Sequence, residues 1–378
     1  MAPYQRMFTL WSCLLMVLSV DVCSARGAQD LRSVFTGHTK FAKEHRLLDL
    51  NSEKKSASTH DQFAGFKQTS KNSVNKVGSG GNHFYVSRTG TANFNRIQDA
   101  IDNIPEYNEQ WVQIDIAAGV YHEKVIIPYN KPFISLQGAG LTSTTIINSE
   151  TASKSGTADS ATFTVWAPNF VARGIGFVNA APPAKPGAVN GQAVAVLLAA
   201  DKAAFYGCGM YGGQDTLFDY AGRHYFKDCY ISGTIDFIFG NAKSVFKNVE
   251  LHAMAQDSMI SGSLTAQKRS SSNEDTGFVF IDCKITGTGK VYLGRAWGPY
   301  SRTVYINTYM ENIIIPEGWQ DWGSSQRQKT VYYGQFQCSG PGSDQSKRVA
   351  WSHELSDSEA SQYMQLSWID GQTWLPQT

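Results

Sequence analysis

Charge is scarce in this chain: only 17% of its 378 residues are Asp, Glu, Lys or Arg, where about 25% is usual. The 33 basic residues nearly cancel the 32 acidic ones, giving a net charge of +1, and no basic run dominates, which argues against a nucleic-acid partner. Long apolar runs are absent after the N-terminus. The one candidate, residues 7–22, is broken by Ser12, Ser19 and Asp21 and falls short of the roughly 20 residues a membrane span needs. No Asn-x-Ser/Thr sequon occurs, so N-glycosylation is not expected. The eight His residues show no metal-ligand spacing and no acidic cluster suits calcium. Neither a metal nor another cofactor is therefore expected.

What is present is apolar and turn-rich. A hydrophobic fraction of 42%, with 34 Gly, 17 Tyr and 20 Phe, excludes bulk disorder and favours strands and tight turns. Arg6, the apolar run and the small residues of Cys23-Ser24-Ala25 predict a secretory signal peptide over 1–25. Residues 26–81 lack any sustained period and end in Gly78-Ser79-Gly80-Gly81, which reads as a disordered linker or propeptide. The folded unit is then 82–378. Apolar residues at helical spacing from Phe94 to Ile101, stopped by Pro105, predict a short helix near its start. Ser356 and Glu359 form a capping-box signature for another that runs through Met364.

Between these lies a repeat. Phe205-Tyr206-Gly207-Cys208, Tyr225-Phe226-Lys227-Asp228-Cys229, Val245-Phe246-Lys247-Asn248-Val249, Val279-Phe280-Ile281-Asp282-Cys283 and Val304-Tyr305-Ile306-Asn307-Thr308 carry one phrase, and a copy ending at Ile175 precedes them. A base period near 20 residues, rich in aromatic and β-branched types and lacking a leucine pattern, predicts a parallel β-helix. Residues one coil apart then lie about 4.8 Å from each other. That spacing suits a Cys208–Cys229 disulfide, with two buried free thiols as the alternative; Cys283 and Cys338 are left without a firm pairing.

The same conversion makes Asp215 and Asp236 neighbours, each seven residues after one of those cysteines. Gln192 stands one coil before Gln214. Adjacent carboxylates resist joint ionisation, so the pair divides into an acid and a base or nucleophile. Two amide donors beside them suit an acyl oxyanion. The alternative is that the aspartates serve turns and the glutamines stack. Strict alternation would also aim Gln214 and Asp215 at opposite faces, so a bend after Gly212-Gly213 is required.

Seven phrases make the resemblance specific: GVYHEKV (119–125), GQAVAV (191–196), GGQDTL (212–217), ISGTIDFIFG (231–240), LGRAW (293–297), the IPEGW stretch ending at Trp319, and IDGQTWLP (369–376). In this order they resemble the plant pectin methylesterase family over roughly 83–378. The resemblance implies a right-handed parallel β-helix, all-β with short capping helices, that acts on cell-wall homogalacturonan. It implies Asp236 as nucleophile, Asp215 as proton donor and acceptor, Gln192 and Gln214 as oxyanion donors, and Arg295 as partner of Asp236. It places Thr157, Gln192, Phe218, Phe239, Arg295, Trp297 and Trp319 along the substrate. Pattern alone leaves Trp297 and Trp319 open between groove and core, and favours core for Phe237. Pectin is the expected partner, a proteinaceous esterase inhibitor a second, and a secreted cell-wall monomer the expected form. Ala296, Phe218, Leu197 and Ala158 depart from the usual family residues, and the helical inhibitor-like pro-domain of many relatives is not expected in 26–81.

Two other classes compete. A polygalacturonase shares the architecture, but its set of aspartate, Gly-His-Gly and Arg-x-Lys phrases is missing, and carboxylates one coil apart leave little room for an inverting enzyme's water. A non-catalytic pectin-binding wall protein would need no turnover, since a fold and a motif do not prove it.

Overall fold

The structure is a computed structural model and describes residues 82–183, 189–255 and 260–376. The predicted signal peptide and linker lie outside the described residues. Strands visit three sheets in turn, of eleven, eight and eight strands, and pairing is parallel: Ala203–Tyr206 pairs with Arg223–Lys227, which pairs with Lys243–Lys247, then Gly277–Ile281, then Arg302–Ile306. With the right-handed crossover that parallel connections adopt, this is the predicted right-handed parallel β-helix. We call the eleven-stranded sheet the back sheet. The front sheet is the one holding Val196–Leu198, Leu217–Asp219, Ile238–Gly240, Ile260–Gln267 and Lys290–Ala296.

The repeat phrase aligns as read. Phe205, Phe226, Phe246, Phe280 and Tyr305 are register partners on successive back-sheet strands. Inside the coils they form a column with ring centroids 4.5–5.3 Å apart and planes within 15°. A coil alone could not bury such rings, whereas stacking covers both faces of each. Two residues after each ring the chain turns towards the next sheet through left-handed backbone: Gly207 (φ 57°), Asp228 (φ 55°), Asn248 (φ 52°), Asp282 (φ 55°) and Asn307 (φ 50°). Gly, Asn and Asp are the types that tolerate this conformation. The side chains also tie coil to coil, as Asn248 Nδ2 donates to Asp228 Oδ1 at 2.6 Å.

The cysteines require a correction. Cys208 and Cys229 precede the paired residues Gly209 and Tyr230 and so do stack one coil apart, but both are buried free thiols rather than a disulfide. Each Sγ is directed at a backbone carbonyl two residues earlier, that of Tyr206 at 3.5 Å for Cys208 and that of Lys227 at 3.3 Å for Cys229. Small thiols fill the coil corner as a hydrophobic column, and Cys283 follows the same pattern with the Ile281 carbonyl.

Helix α1, Ile97–Asn103, buries Ile97, Ala100 and Ile101 at the N-terminal end of the helix. It starts three residues later than the apolar spacing suggests, because Phe94 is held in a bridge to Val86. Helix α2 is the single turn Ala152–Ser155. Helix α3, Asp357–Met364, opens with the predicted Ser356–Glu359 capping box. Its Ala360 and Tyr363 cover an outward apolar face of the back sheet that includes Val279 and Val304. Among the described residues no helix is long and apolar enough to cross a membrane.

Candidate active site

Asp215 and Asp236 stand just ahead of the front-sheet strands Leu217–Asp219 and Ile238–Gly240. Both have left-handed backbone, with φ of 67° and 48°. That is the bend the sequence demanded, and it frees the two carboxylates from strand alternation. Glycine permits it: a Cβ on Gly233 would lie 2.2 Å from Phe237 Cβ and 2.6 Å from Thr216 Oγ1. The aspartates occupy consecutive coils, since the Asp215 amide donates to the Ile235 carbonyl and the Asp236 amide to that of Ser263.

Their surroundings divide them. Asp236, 5% exposed, accepts from Arg295 Nε at 2.7 Å on Oδ1 and 2.9 Å on Oδ2. Arg295 Nη2 makes a further contact to Oδ2. Ser263 Oγ donates to Oδ1 at 2.6 Å. Burial pushes the Asp236 carboxyl up, while the Arg295 charge and the hydrogen bonds from Arg295 and Ser263 pull it back. Asp215 is also buried, and burial together with the negative charge of Asp236 holds it well above the ordinary carboxylate range, against the smaller pull of Arg295 and Gln214. Asp236 is therefore the carboxylate that ionises first, and Asp215 keeps its proton beside it.

Gln214 lies close enough to Asp215 to lower its carboxyl. Gln192 lies one coil earlier, and its Oε1 is buried without a partner. A half-turn of that terminal amide presents Nε2 instead, so the group is left for a ligand. Thr157 is half-buried at the start of the 3-10 turn Ala158–Ser160. That loop is tied to Gln192, whose carbonyl accepts from the Ala152 amide.

One outward row of the front sheet runs through the site. Leu197, Phe218, Phe239, Ala266 and Arg295 are successive register partners. Phe218 and Phe239 stack with centroids 4.2 Å apart, and Trp297 lies 6.0 Å from Phe239. Phe237 is interior, as expected. Trp319 is not in the groove. It is 2% exposed and stacks on Tyr333 at 4.4 Å inside the coils, because strand pairing of Gly294 with Trp319 sets it on the inward face. The second indole at the site, beside Trp297, is Trp322, whose ring carries the Arg295 guanidinium at 4.0 Å. Sequence reading missed Trp322 and Ser263. Asp321-Trp322-Gly323 is a turn signature that could have flagged the first, whereas Ser263 lies in a strand whose register shifts between Ile260 and Ser263 and leaves no periodic signal. The Ala296 departure does not leave its turn loose, since Arg327 donates to the Ala296 carbonyl. Among the described residues no cluster suited to a metal ion occurs.

Known proteins resemble this chain in sequence and in fold. A family model, Pectinesterase, matches residues 83–372. Probable pectinesterase 8 of Arabidopsis thaliana is 47% identical over 296 residues, covering 77% of this chain and 75% of that protein. The solved pectin methylesterase from carrot superposes with a TM-score of 0.73 at 35% identity, over 79% of this chain and 98% of that one. A pectin methylesterase solved in complex with a hexasaccharide gives 0.67 at 26% identity, over 78% of this chain and 98% of its own. With a family model spanning most of the chain and a relative this similar, the sequence and the β-helix that it folds into belong to the pectinesterase family.

Proposed function

We propose that this chain is a secreted cell-wall esterase that hydrolyses the C6 methyl esters of galacturonate in homogalacturonan, releasing methanol and pectate, with Asp236 as nucleophile and Asp215 as acid and base. Family membership and the likeness to solved pectin methylesterases support the reaction. The observation that carries the assignment of roles is the asymmetry of the two aspartates, one clamped by Arg295 and Ser263 and the other buried beside it with its proton retained.

Asp236 attacks the ester carbonyl, and the negative charge that develops on the carbonyl oxygen is met by the amides of Gln192 and Gln214. The C–O bond to the methoxy group breaks, its electron pair leaves with that oxygen, and Asp215 supplies the proton that makes it methanol. An acyl-enzyme on Asp236 remains. Asp215, now ionised, takes a proton from water, whose oxygen attacks the acyl carbon. The bond between the acyl carbon and Asp236 breaks with its electron pair returning to Asp236, the sugar leaves as a carboxylic acid that gives its proton to bulk water, and both aspartates are back in their starting states. Arg295 suits the nucleophile because a guanidinium stays charged and offers a planar fork. Trp297 and Trp322 offer ring faces to the sugars, and Phe218 and Phe239, stacked on each other, offer ring edges. The expected working form is a monomer, open to capture by a proteinaceous inhibitor at the same groove.

The test is incubation of the secreted protein with highly methylated pectin, measuring methanol and new reducing ends, with Asp236→Ala as control. Methanol without reducing ends, abolished in the variant, is the expected result. Reducing ends would assign a glycosidase, and neither product from folded protein would assign a binding protein.

A further inference from the structure

The front sheet carries a second outward row, of which this chemistry uses only Trp297. Val165, Leu198 and Asp219 are register partners on three successive strands, so Trp166, Ala199 and Tyr220, one residue further on, share a row. The backbone ladder continues into it, with the Ala199 amide donating to the Val165 carbonyl and the Tyr220 amide to the Leu198 carbonyl, each at 2.9 Å. Val165 is fully buried on the inner face while Trp166 is 44% and Tyr220 48% exposed. Trp297 holds the corresponding place three coils further along, just past Ala296, which pairs with Gln267.

Single exposed aromatics are ordinary on a protein surface. This pair is different in its setting. The rings stand two coils apart, about 10 Å at the spacing of parallel strands, and the residue between them is a methyl group that leaves a trough. The row is also continuous with the active site, because Tyr220 packs edge-on against Phe218 with centroids 5.2 Å apart, and Phe218 stacks on Phe239 beside Asp236.

We propose that Trp166, Ala199 and Tyr220 form a further sugar subsite for the same polymer, which begins at Tyr220, one coil from that of Asp236, and ends at Trp166, three coils or about 14 Å from it. The proposal rests on the esterase reading for its choice of polymer. A sugar ring has apolar C–H faces and a polar rim; indole and phenol faces take the first and leave the second in water. A polymer lying along the helix axis passes over both the catalytic coil and this platform, whereas a trimer centred on Asp236 does not reach Trp166.

The experiment compares methanol release from a fully methylated trigalacturonate and from a long methylated oligomer, using the secreted protein, Trp166→Ala, Trp166→Tyr and Tyr220→Ala. For Trp166→Ala we expect a roughly three- to tenfold rise in KM on the long oligomer, the size of one exposed ring contact. Its kcat should be unchanged, as for loss of uniform binding, with no change on the trimer and recovery in Trp166→Tyr. Equal KM values for wild type and Trp166→Ala on the long oligomer would overturn the subsite, and so would a matching rise on the trimer. Binding of the long oligomer in an Asp236→Ala background, followed by tryptophan fluorescence, separates this from turnover. If wild type releases no methanol, the esterase reading fails by itself, and affinity lost on removing Trp166 still supports a sugar platform while unchanged affinity overturns it. A shift in elution volume caused by Trp166→Ala would reassign the row to self-association and overturn the proposal too.

Discussion

At the scale of single residues, the site is held at a cost to the fold. Asp215 has its carboxyl raised well above the ordinary range by burial and by the charge of Asp236. A carboxyl raised on folding favours the native state most at pH values below its unfolded pKa of about 3.9, and that advantage is lost as pH climbs through the folded value. Asp215→Asn should therefore match wild type in thermal midpoint at low pH and exceed it increasingly as pH rises, while losing about two to four orders of magnitude in methanol release. Midpoints measured across pH check this, and parallel curves would count against a buried protonated Asp215. Ser263 makes the complementary case. Its hydrogen bond lowers the Asp236 carboxyl, so Ser263→Ala should move the acidic limb of kcat/KM to higher pH and reduce the rate about tenfold, as expected for a charge-assisted hydrogen bond of roughly 1.5 kcal/mol. The spacing of Asp215, Asp236, Gln192 and Gln214 was legible because one coil is one period. Ser263 was not, because a bulged strand has no period to read.

At the scale of elements, legibility follows the distance over which an element is specified. Helix α3 was readable because its cap is local, Ser356 with Glu359 three residues on. Helix α1 has no local side-chain cap. Its first amides, those of Ile97 and Gln98, are met by the buried carboxylate of Glu123 at 2.9 and 3.1 Å. Its last carbonyls, of Ile101 and Asp102, are met by Lys131 Nζ at 2.9 and 2.7 Å. A negative group at the N-terminus and a positive one at the C-terminus complement the helix dipole, but both come from the following coil, where no helix signal in 94–105 can reveal them. Glu123→Gln keeps the shape and removes the charge, and should cost about 1 kcal/mol in denaturant unfolding. Methanol release should be untouched, since α1 caps the end of the solenoid away from Asp236. The coil corners illustrate the opposite case: Gly207, Asp228, Asn248, Asp282 and Asn307 announce a left-handed turn by type alone, which is why the repeat could be aligned before any strand was placed.

At the scale of the whole molecule, the coils stack so that each is covered only by its neighbours, and what lies on the axis is shielded unless neighbouring coils part. The thiols report on this. Cys208, Cys229 and Cys283 are buried, and burial pushes the Cys208 and Cys283 thiols up to about 12, so at neutral pH neither exposure nor thiolate is available to a reagent. The sequence led to a Cys208–Cys229 disulfide through the correct inference that the two are stacked. It could not decide between a bond and two thiols, because register fixes the spacing of the chain and not the direction of Sγ, which here goes to a backbone carbonyl on each coil. Two measurements on the secreted protein separate the outcomes. Native protein should react negligibly with a thiol reagent, apart from slow labelling at the partly exposed Cys338. In denaturant without reductant, all of Cys208, Cys229, Cys283 and Cys338 should become reactive. Labelling of the three buried thiols should follow the cooperative unfolding transition, because opening that exposes the axis is the high-free-energy kind. Finding only Cys283 and Cys338 reactive in denaturant would restore the disulfide, and labelling of Cys208 well before the transition would mean that the coils open locally and that the aromatic column does not bind them into one cooperative unit.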